Sequence, residues 1–70
     1  MPWWKLILRC EKLHKENPGM RFGQIFFNEL SIHRPELADK IRGSKDDPFY
    51  KSDKAECDLS NIQILFEEKE

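Results

Sequence analysis

Four prolines, at positions 2, 18, 35 and 48, cut the chain into short stretches. Proline has no backbone donor and a fixed φ, so it is excluded from a helix interior and from a central strand. The stretches between prolines must therefore form separate short elements, and their apolar spacing says which kind. Between Pro2 and Pro18 the apolar residues recur with helical period: Trp3, Leu6, Ile7, Cys10 and Leu13 share one stripe, with Trp4 and Leu8 at its edge. Lys5, Arg9, Lys12 and Glu16 lie opposite. A helix is predicted over Trp3 to Glu16, stopped by Asn17-Pro18-Gly19.

The next stretch, FGQIFFNELSIH, spreads Phe22, Ile25, Phe26, Phe27 and Leu30 over a broad apolar arc. Its other side carries Gln24, Asn28 and Ser31, a strip of neutral polar side chains at helical spacing. The third, PELADKIRG, opens with proline at a first helical position and Glu36 beside the positive end of the dipole. Leu37, Ala38 and Ile41 face inward, and Gly43 supplies a left-handed stop. Residues 44–58 read as a long ordered loop. The last segment gives two periods at once. Leu59, Ile62, Leu65 and Phe66 fit a short helix with Ser60 and Gln63 as a capping box, whereas Ile62, Ile64 and Phe66 alternate as in a strand. Glu67, Glu68 and Glu70 crowd an end where a helix dipole disfavours anions. The expected fold is all-α: a small three-helix domain with a long ordered loop and a short C-terminal helix, with a strand as the alternative for that last segment.

Seventy residues suit one domain with a marginal core, and the eight aromatic rings are how so short a chain can fill it. A net charge of −1 gives no broad electrostatic attraction to nucleic acid or to a membrane. Two cysteines are too few for a disulfide scaffold, which points to reduced thiols in a cytoplasmic setting. MPWWKLILRC does not read as a signal peptide, because Lys5 breaks its apolar run, and no stretch approaches the roughly 20 apolar residues of a membrane span.

From Pro18 to Tyr50 the words PGMRFGQIFFNEL and PELADKIRGSKDDPFY resemble a group of small proteins encoded by phages and prophages. That group shares a Gly-Gln, Phe-Asn, Leu core followed by Pro-Glu-Leu-Ala, Ile-Arg-Gly-Ser/Thr and Asp-Pro-Phe-Tyr. The resemblance implies a phage or mobile-element accessory protein with no assigned chemistry, working in a bacterial host cytoplasm. Arg34 departs from the pattern, which has a capping Asn before Pro-Glu-Leu-Ala.

Five features bear on function. In the loop, Asp47-Pro48 favours a tight turn with Pro48 at its second position, and two aromatics follow it. Phe49 is expected to point into the core and Tyr50 outward, as a partner-binding anchor with Arg42 nearby. In the amide strip, Gln24 and Asn28 either read adenine edges in a helix-turn-helix-like arrangement or hydrogen-bond the loop backbone. At the start, adjacent helical residues diverge by about 100°, so Trp3 belongs to the core while Trp4 and Leu8 form either edge burial or a partner or self-association surface. Cys10 and His14, one turn apart, with His33 and Cys57 elsewhere, make a weak metal set, so no metal or cofactor is expected. The acidic residues of the loop lack calcium-loop spacing, and no phosphate-binding glycine loop or nucleophile elbow is present, so catalysis is not expected. The preferred function is binding another protein, of phage or host, to inhibit a host enzyme or defence component; the alternative is a small DNA-binding module.

Overall fold

The computed structural model describes residues 1–68. Among them lie four α-helices and no strand: α1 (Trp3–Glu16), α2 (Phe22–His33), α3 (Pro35–Ile41) and α4 (Ser60–Glu68), with a 3-10 turn at Lys54–Glu56. The fold is all-α. Helix α2 packs on both α1 and α3, and α4 packs on α1 and α3. The core is drawn from all four: Leu6 and Cys10, then Phe22, Phe26 and Leu30, then Leu37, Ala38 and Ile41, and finally Ile62 and Phe66. Each fully buried Phe or Leu contributes about 1.5–3 kcal/mol, so this stripe-on-stripe packing holds helices too short to persist alone. Trp3 stands edge-on to Phe26 at 5.7 Å and to Phe66 at 5.5 Å, which ties α1 to α2 and α4. No described helix is long and apolar enough to cross a membrane.

One polar link crosses the α1–α2 seam. Glu29, only 8% exposed, accepts a hydrogen bond from Arg9 Nε, and His33 Nε2 stands 3.9 Å from the same oxygen. The bond and the charge of Glu29 raise the Arg9 pKa above its ordinary value. A buried carboxylate needs such partners.

Helix α2 runs through His33 and α3 starts at Pro35, so Arg34 alone joins them. That leaves no room for the three- or four-residue turn of a helix-turn-helix. Arg34 also acts at a distance. Its Nη1 donates to the Phe66 carbonyl at 3.2 Å, its guanidinium lies 4.7 Å from the Phe66 ring centre, and its Nε donates to Glu36 at 2.9 Å. A cation at the last carbonyls of α4 offsets the unfavourable Glu67 and Glu68 there. The segment whose alternation also fitted a strand is accordingly a helix, while Glu70 lies outside the described residues. Its start differs from the expected capping box. Gln63 N donates to the Leu59 carbonyl at 2.8 Å and Ser60 N to Asp58 Oδ1 at 3.2 Å, so Asp58 serves the first turn. The reciprocal box occurs instead in the 3-10 turn, between Asp53 and Glu56.

Candidate functional site

The loop after α3 is shaped by a left-handed glycine and by the side chain of Asp47. Gly43 takes φ +75°, the left-handed stop its sequence position called for. Asp47 then clamps the turn: Oδ2 accepts from Gly43 N at 2.8 Å and Oδ1 from Phe49 N at 3.0 Å. Lys51 N donates to the Pro48 carbonyl at 2.9 Å. Pro48 is therefore the first residue of that turn rather than the second, and Phe49 and Tyr50 occupy its tip.

The turn is seated on the start of α2. First-turn amides of a helix have no partner within it, and Arg21, which precedes α2, offers no side-chain cap. Here Phe22 N donates to the Ser52 carbonyl at 2.9 Å and Gly23 N to the Lys51 carbonyl at 3.0 Å. The approach is so close that a Cβ on Gly23 would lie 1.6 Å from the Pro48 oxygen. Only glycine fits there. The loop is thus pinned by backbone amides at Phe22 and Gly23; the side chains of Gln24 and Asn28, expected to do this, make no hydrogen bond among the described residues.

This seating sorts the aromatics. Pro48 is buried, Phe49 is half-buried with its ring edge-on to Phe27 at 6.0 Å, and Tyr50 is 79% exposed. Phe49 and Tyr50 meet edge to face at 5.1 Å. Two arginines flank the cluster: Arg42 lies 5.4 Å from the Phe27 ring centre and Arg21 lies 5.6 Å from that of Tyr50. Together Phe27, Asn28, Ser31, Arg42, Asp47, Phe49 and Tyr50 line an open groove of about 360 Å³. Four residues singled out in the sequence, Asn28, Arg42, Phe49 and Tyr50, come together there. Gln24 is half-buried outside it, and Ser31 turns its hydroxyl back to the Phe27 carbonyl at 2.9 Å.

Trp4 and Leu8 lie elsewhere, on the outer side of α1, 59% and 56% exposed. Lys5 Nζ sits 5.7 Å from the Trp4 ring centre. Edge burial of this pair against another helix does not occur. Both cysteines are free thiols. Burial, helped by the nearby Glu29, pushes the Cys10 thiol up to about 12, and burial beside Glu56 raises that of Cys57. His14 stands edge-on to Phe22 at 5.7 Å, part of the core wall. Among the described residues no three His, Cys, Asp or Glu side chains gather as a metal would need. Gly23, Glu29 and Arg9 escaped the sequence reading, because each owes its role to a residue far along the chain. Compared with protein-family models, curated proteins and solved structures, the chain matches none.

Proposed function

We propose that this is a non-enzymatic accessory protein of a phage or other mobile element, which acts in a bacterial cytoplasm by binding another protein. Blocking a host enzyme or defence component is the form of action that its resemblance to phage-encoded proteins favours. The single observation behind the reading is Tyr50, 79% exposed on a turn that is hydrogen-bonded to Asp47 and to the α2 amides. An exposed tyrosine beside Arg21, sharing a groove with Arg42 and fixed in advance, has the composition of a binding hot spot and loses little entropy on docking. Trp4 and Leu8 on α1 form a second, separate apolar surface.

The DNA-binding alternative is less favoured, because α3 exposes Glu36 and Asp39 beside Lys40, a mixed surface for phosphates. Capture from bacterial lysate on immobilised protein, with mass spectrometry, tests the reading. Tyr50→Ala and Arg42→Ala should each weaken capture of the same partner by about 1–2 kcal/mol while thermal melting stays that of the parent. A partner retained equally by both variants and lost on Trp4→Ala would move the interface to α1. Retention of nucleic acid that falls steeply with salt would favour the alternative.

A further inference from the structure

We infer that the groove beside Tyr50 takes a segment of the partner in which a carboxylate side chain adjoins an aromatic or aliphatic one. This rests on the groove being the protein-binding surface proposed above. Its floor is apolar, made by Phe27 and the half-buried Phe49, and calls for an apolar side chain. Its rim is cationic in a particular way. The Arg42 guanidinium lies over the Phe27 ring and is 62% exposed. It makes no hydrogen bond among the described residues, since Asp39 Oδ1 stands 3.6 Å away, beyond hydrogen-bond distance. An arginine placed over an aromatic ring, whose ion pair with the exposed Asp39 is loose at 3.6 Å, keeps donors that a planar carboxylate can take.

The groove's own carboxylate does not compete for those donors. Both oxygens of Asp47 already accept backbone amides, from Gly43 and Phe49. Arg21, 5.6 Å from the Tyr50 ring centre though not itself lining the groove, adds a second positive charge beside it. Asn28, exposed and without a side-chain hydrogen bond among the described residues, offers an amide to the backbone of the incoming segment. A guanidinium, an unpaired amide and an apolar floor within one groove match an acidic residue next to an apolar one. They do not match a basic segment, which both arginines would repel.

Two pairs of capped tetrapeptides serve as probes: acetyl-Ala-Phe-Asp-Ala-amide against its Phe-Asn counterpart, and the same pair with the central residues reversed. Each is titrated into isotope-labelled protein and followed by amide chemical shifts. Shifts should concentrate on Phe27, Asn28, Ser31, Arg42, Phe49 and Tyr50, and in at least one order the Asp peptide should bind about five-fold more tightly than the Asn peptide. Added salt should shrink that ratio. Arg42→Gln should bring it down towards unity while the unliganded spectrum away from the groove stays unchanged. Equal binding of Asp and Asn peptides in both orders, or shifts centred on the first helix, would overturn the inference. A Tyr50-dependent capture from lysate without any carboxylate preference would overturn it too, yet leave the protein-binding function standing.

Discussion

Gly23 shows how much a single missing side chain can decide. Its hydrogen-bond partner and its steric neighbour both belong to the loop, so an added methyl group must lift the loop off α2. Gly23→Ala should destabilise by about 1–3 kcal/mol, the range of overpacking. Gly43→Ala should cost about 1 kcal/mol, because φ +75° strains any other residue. Gly19 is the control: a Cβ there meets nothing within 4 Å, so Gly19→Ala should be neutral or slightly stabilising. Urea unfolding of the three variants gives the ranking directly. Cys10 makes a second point about burial. Its thiol titrates near the ordinary 9.0 when unfolded and at about 12 when folded. Above the lower value the unfolded chain sheds the proton first, so stability present below it is lost as pH rises towards the upper one. Comparing melts at about pH 8 and about pH 10, Cys10→Ala should lose less stability than the parent. Equal losses would mean that the thiol is not held protonated by the fold.

Two of the helices are begun or ended by residues remote in sequence. Helix α2 receives its first-turn acceptors from Lys51 and Ser52, and α4 receives a cation at its last carbonyls from Arg34. Arg34→Met should keep much of the packing on Phe66 but lose the bond to its carbonyl. We expect about 1–2 kcal/mol of destabilisation and a drop in helical circular dichroism from fraying of α4. Lysine should not rescue it fully, since an ammonium cannot both stack and donate in this geometry. Helicity equal to the parent's would show that α4 is held by Ile62 and Phe66 alone. Here the limits of the sequence are physical. Helices α1 to α3 were legible because proline and glycine mark their ends and apolar residues repeat at helical spacing. The last segment reads as a short helix with a strand as the alternative, and it is a helix. The alternation of Ile62, Ile64 and Phe66 keeps the strand open because a residue favouring the helix, Arg34, is remote. The helix-turn-helix arrangement took Ser31–Arg34 as the break between the second and third segments, yet α2 continues through His33 and Arg34 alone separates it from α3.

A radius of gyration of 11.0 Å is what a compact chain of this length gives, about 11 Å. The loop is therefore folded onto the helices, where Pro48 is buried and Phe49 walls the groove. The sequence grouped Phe49 and Tyr50 with Arg42 as one candidate and put Asn28 in another, the amide strip, through residue type and position. What it lacked was the contact that unites them, which depends on Gly23 meeting a carbonyl many residues later. Backbone-to-backbone contacts leave no side-chain signature except the glycine itself. The resulting molecule has two unlike surfaces, the Tyr50 groove with its arginines and the Trp4–Leu8 patch on α1. Both proposals above rest on the loop being seated in the free protein, before any partner arrives. Native-state hydrogen exchange at the Phe22 and Gly23 amides measures that seating directly. First-turn helix amides ordinarily exchange fast, because no carbonyl of the helix accepts them. With Ser52 and Lys51 as acceptors, both should be protected nearly as well as amides inside α2, and the protection of Phe22 should vanish in Gly23→Ala. Rapid exchange at both positions, while the interior of α2 stays protected, would show that the loop is not docked and that Tyr50 is not held in place.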